Sequence, residues 1–145
     1  MSNEHGTQGQ TPTPDDAAAI ARAFTAARRA GNTLPAFPGA IPADLVNAYL
    51  VQDQAIDLWD DQVIGWKVGY IAAERRDGSG DERLLGPIFK RQLWNDTGGT
   101  TDIPVFVGGF GAVEAEYVLE LLEDAPAGQL HWSPEQAEAL PARLY

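Results

Sequence analysis

Gly108-Gly109-Phe110-Gly111-Ala112-Val113-Glu114-Ala115-Glu116-Tyr117-Val118-Leu119-Glu120-Leu121-Leu122 is the stretch on which the architecture of the chain turns. Its β-branched and aromatic residues start from a glycine cluster and stop before Asp124-Ala125-Pro126, which predicts a strand, although Ala, Leu and Glu would also suit a helix. Side chains alternate along a strand, so Glu114 and Glu116 are expected on one face and Val113, Ala115 and Tyr117 on the other. Two adjacent carboxylates repel unless a positive charge lies between them, and a hard divalent cation is the usual oxygen-liganded solution. The pair is therefore half of a candidate metal site. Its plain alternative is an acidic strand face turned to water, which Glu120 on the same face would fit equally well.

Outward from that stretch, composition sets the limits. The chain has 145 residues and 44% hydrophobic content, the size of one domain with a core. Lys and Arg number 10 against 21 Asp and Glu, a net charge of −11 that repels phosphate backbones and anionic lipid surfaces. Neither nucleic acid nor membrane is an expected partner. The absence of cysteine removes disulfides, thiolate nucleophiles and Cys-ligated metals, so any metal must be held mainly by oxygen. His5 and His131 lie in a polar tail and beside a Pro-containing loop, poor material for a histidine-based centre. With no apolar run of membrane length and no basic-then-apolar leader, a soluble cytoplasmic protein is expected.

Residues 1–14 are nearly devoid of apolar side chains and are expected to form a disordered tail. A helical segment over 15–61 follows. Asp15 or Asp16 can cap a first helix whose apolar face runs through Ala17, Ile20, Ala23, Phe24 and Ala27, with Gly31 as the stop. Pro42 can start a second helix, with Asp44 in its first turn and a core stripe of Leu45, Tyr49, Ile56 and Trp59 that Gln52 interrupts. From Gln62 to Tyr70 the period changes to two, which predicts a strand. Lys67 then shares its face with Gly65 and Gly69, glycines that either leave room for a ligand or mark a bend. Leu84 to Phe89 is a short apolar segment pivoting at Gly86-Pro87, and residues 94–99 form a loop. Thr100 to Val107 is expected as a strand with Pro104 at an edge or bulge, and Ser133-Pro134 opens a last helix.

Four signatures thus stand in order: Ala48-Tyr49-Leu50-Val51-Gln52, Gly65-Trp66-Lys67-Val68-Gly69, Gly86-Pro87-Ile88-Phe89 and Val113-Glu114-Ala115-Glu116-Tyr117. Together they resemble the N-terminal half of a 2-keto-4-pentenoate hydratase of the fumarylacetoacetate hydrolase (FAH) superfamily, over about residues 15–145. The resemblance implies an α+β chain in which the helical segment packs on the start of the mixed β-roll of the FAH fold, with 62–145 as the first part of the catalytic domain. It implies Glu114 and Glu116 as two ligands of Mg2+ or Mn2+, a third glutamate beyond the present end, and Lys67 at the active site. Many relatives carry an acid where this chain has Leu85.

The function implied is hydratase-like: a metal-dependent lyase, or a related decarboxylase or C–C hydrolase, acting on a small 2-oxo acid or its dienol in the catabolism of aromatic compounds. The alternative is an inactive or interaction-only chain, because two carboxylates alone bind magnesium weakly. Exposed apolar strand faces would favour self-association, and a homo-oligomer is the expected state.

Overall fold

The computed structural model describes residues 13–95 and 97–145, so residues 1–12 of the expected tail over 1–14, and Asp96 of the 94–99 loop, lie outside the described residues, while Thr13 and Pro14 belong to the start of a helix and not to a tail. The chain mixes helices with small antiparallel sheets, an α+β arrangement as expected. Two units make it up, one running to Gly111 and the other Ala112–Tyr145.

In the first unit, helix α1 (Pro14–Arg29) begins one turn earlier than its acidic pair suggests. Thr13, not Asp15 or Asp16, is the N-cap: its hydroxyl accepts from the Asp16 N–H at 3.2 Å, and the Asp16 carboxylate accepts from the Thr13 N–H at 3.0 Å. This reciprocal capping box, with Pro14 at the first position, satisfies amides that the helix itself cannot. Gly31 ends the helix in the left-handed region, φ 68°, where a side chain would clash. Helix α2 (Leu45–Leu58) starts after Pro42 because Asp44 is its cap and not a residue of its first turn, accepting from the Asn47 N–H at 2.8 Å.

The two helices meet through Ala17, Ile20, Ala21 and Val51, with Ala55 against them. Alanines on both sides of the seam leave Ile20, 2% exposed, as the largest fully buried side chain among the described residues. The face of α1 is rotated from the expected one. Ala21 and Thr25 are buried, while Phe24 stays partly exposed and packs edge-on against Phe37 at 5.4 Å. Thr25 tolerates burial because its hydroxyl donates to the Ala21 carbonyl at 2.9 Å. The loop between the helices presses on the same seam: a Cβ at Gly39 would stand 2.8 Å from Ile20 Cγ1.

Strand β1 (Val63–Tyr70) follows the alternating pattern of its sequence and pairs antiparallel with β2 (Arg83–Phe89). The segment with the Gly86-Pro87 pivot is thus a strand, opposite Trp66 at Pro87, which is tolerable because a two-stranded sheet consists only of edges. A register shift between Val63 and Gly65 provides a bulge. The strand expected over Thr100–Val107 is reduced to an isolated parallel bridge between Asn32 and Val107, where the Val107 N–H donates to the Gly31 carbonyl at 3.0 Å.

In the second unit, β3 (Leu119–Leu121) pairs antiparallel with β4 (Ala142–Leu144), and the ladder continues through hydrogen bonds between Val118 and Tyr145. Between them lies α3 (Pro134–Glu138), capped by Ser133 with Pro134 at its start, as the sequence predicts. No residue of 112–145 is buried. Among the described residues, no helix is long and apolar enough to cross a membrane.

Three carboxylates lie below their ordinary range because hydroxyl groups nearby stabilise the ion: Asp16 through Thr13, Asp77 through Ser79, and Glu135 through Ser133. Each is more acidic folded than unfolded, so its contribution to stability is present above the unfolded value and is lost as pH falls through the lowered folded value. The helical melt followed by circular dichroism is therefore expected to hold from neutrality to about pH 5 and to shift down below it. Asp16→Asn should blunt that decline; a melting temperature that rises on acidification would contradict the assignment.

Candidate functional site

The β1–β2 register gives Lys67 its surroundings. Gly65 and Gly69 flank it along the strand and Gly86 stands directly opposite, so three glycines border one lysine. Directly paired residues share a face, and here that face offers no Cβ next to Lys67 on its own strand or across from it. A Cβ at Gly86 would meet nothing within 4 Å, and one at Gly65 only Ile88 Cδ1 at 3.9 Å. At Gly69 the room is taken: Leu84 Cδ1 would lie 3.0 Å away. The space expected on both sides of Lys67 is therefore open toward Gly65 and Gly86 and filled by Leu84 beyond Gly69. Lys67 is exposed.

Gly86 is legible in the sequence as a pivot but not as the neighbour of Lys67, because that position depends on the hairpin register. Recognising that Leu84–Phe89 is a strand would have supplied it. Tyr49, read in the sequence as part of the α2 stripe, also uses its hydroxyl, which accepts a hydrogen bond from the Leu85 N–H at 3.0 Å and so fixes α2 to β2. Leu85 is anchored here through its backbone.

Three of the four sequence signatures thus meet within the first unit. Tyr49 bonds the strand that carries Gly86, Gly86 faces Lys67, and Gln52 borders the same cavity as Pro87 and Phe89.

Glu114 and Glu116 belong to the second unit and precede β3 outside any strand or helix; both are exposed. The strand predicted across them is confined to Leu119–Leu121, because only that part finds a partner in β4. Glu120 is engaged elsewhere: its Oε2 accepts from Arg143 Nη1 at 3.1 Å and from the Tyr145 hydroxyl at 2.9 Å. The Tyr145 hydroxyl and its charge, with Glu120 behind them, raise the Arg143 guanidinium above its ordinary value. Glu114 and Glu116 offer hard oxygen donors suited to magnesium or manganese. Among the described residues, however, no group of three or more acidic or histidine side chains gathers as a metal cage. The donor chemistry of the pair would suit such an ion.

Compared with protein-family models, curated proteins and solved structures, the chain matches none.

Proposed function

We propose that this chain is a hydratase-like member of the FAH superfamily, acting on a small 2-oxo acid or its dienol. The observation that carries the proposal is the convergence of three separated signatures on one hairpin, with Lys67 bordered by Gly65, Gly69 and Gly86. An anionic substrate approaching a chain of charge −11 needs a local cation with room around it. In this reading Lys67 orients the substrate carboxylate or carries a proton to and from the carbon chain. Glu114 and Glu116 would hold Mg2+ or Mn2+, which when bound supplies electrophilic stabilisation of the charge that develops as a proton leaves. Leu85 leaves hydration, decarboxylation and C–C hydrolysis as outcomes of this one chemistry. The domain assignment that goes with it is a helical segment over 15–61 followed by the first part of a catalytic domain over 62–145, in a homo-oligomeric cytoplasmic enzyme.

Mn2+ titration followed by water-proton relaxation tests the metal half of this reading. Saturable one-to-one binding is expected, weakened by about tenfold or more in Glu114→Gln and in Glu116→Gln. Equal binding by both variants would remove the pair from the site. The exposure of that pair also favours a second reading, an interaction-only chain. The absence of both metal binding and dienol turnover would select it.

A further inference from the structure

We propose that the cavity between α1, α2 and β2 binds a small flat monocarboxylate. It has a volume of about 110 Å3 and is lined by Phe24, Ala55, Trp59 and Phe89 among others. A cavity of this kind is in the size class that accepts a single ring. The cavity is independent of Lys67. Pro87 and Phe89 border it, and these alternate along β2 with Gly86, the residue facing Lys67, so the two lie on opposite faces of the hairpin.

Two polar groups turn this apolar cavity into a selective one. Gln52 is half-buried on α2, whose buried residues are Asn47 and Val51, and lines the cavity. No buried side-chain polar atom among the described residues lacks a partner, so the Gln52 amide is within reach of water, which a ligand oxygen can replace. Arg28 is the second. Its guanidinium lies 5.1 Å from the Trp59 ring centre and 5.9 Å from that of Phe89, and Nη2 donates to Gln92 Oε1 at 2.7 Å. Gln92 and the rings hold the cation in place while leaving donors unspent. Arg29, 5.5 Å from the same Trp59 ring, adds a second positive charge. A carboxylate satisfies the guanidinium and accepts from the Gln52 amide, and a flat apolar body fills the space between the rings.

Benzoate is the probe, with benzyl alcohol as the uncharged ring of the same size, titrated into the 145-residue chain by heteronuclear NMR. Benzoate is expected to shift the Trp59 indole and Gln52 side-chain amide resonances saturably and to raise the melting temperature, with benzyl alcohol at least about tenfold weaker. Gln52→Leu removes the amide, and Ala55→Leu enlarges a side chain that lines the cavity; each should weaken benzoate by about tenfold or more. The wild-type preference for benzoate over benzyl alcohol needs no variant, so it decides the matter even if both substitutions unfold. Lack of saturation at millimolar benzoate, equal affinity for the two probes, or unchanged affinity in folded variants would each overturn the proposal.

Discussion

Lys67→Met is expected to lower turnover of a dienol or 2-oxo acid by about 10²–10⁴-fold, the range for removing a positioned proton-transfer group. Thermal melts of the variant separate a loss of turnover from a loss of fold. Lys67→Arg separates the two roles proposed for the lysine. Arginine keeps the charge but cannot release a proton at any working pH, so a largely active Lys67→Arg enzyme means carboxylate orientation, and an inactive one means proton transfer. Steady-state kinetics with Mg2+ or Mn2+ present, alongside thermal melts, provides the check. Turnover by Lys67→Met within about tenfold of wild type would take Lys67 out of the reaction.

Ile20→Ala should have the largest effect on folding. Truncation of a buried isoleucine costs about 2–5 kcal/mol, and small domains hold only about 5–15 kcal/mol in total. The seam around Ile20 consists of alanines and Val51, which have little reach with which to close a cavity. Loss of most of the cooperative helical melt at room temperature is the expected result, read by circular dichroism in urea. Gly39→Ala tests the same seam from the other direction, since its new methyl would meet Ile20 Cγ1 at 2.8 Å. Because the two side chains share that space, the double variant should be less destabilised than the sum of the singles. Strict additivity would mean that the loop does not bear on the core.

How far the sequence reveals these features depends on whether a signal is local. Gly31, Asp44 and Ser133-Pro134 act on their own few residues, and the helix ends they predict hold with small displacements. Thr13 was missed as a cap because Asp15 and Asp16 are equally good capping types two and three positions on, and only Asp16 bonding back to Thr13 decides among them. β1 is legible by its alternation. β2 is not, because Gly86-Pro87 breaks the pattern within it, and strand formation there depends on β1 as a partner. The same dependence explains the acidic stretch: Val113–Tyr117 has strand composition, but β4 is only long enough to pair Leu119–Leu121 and their immediate flanks. Lys67 and the two glutamates were recognisable as residues. Gly86 as the lysine's neighbour was not, because register is a property of two segments at once.

The bridge from Asn32 to Val107 has a bearing on the order in which the first unit assembles. α1 with α2, and β1 with β2, join segments close in sequence and need little chain entropy to form. The Gly31–Val107 hydrogen bond and the Thr33 hydroxyl on the Val107 carbonyl instead join positions with both of those pairings between them. Closing so long a loop for a few hydrogen bonds is entropically unfavourable until the intervening chain has already shortened it. During synthesis the helical pair can therefore form while the rest of the chain is still being made, and the Val107 segment joins last.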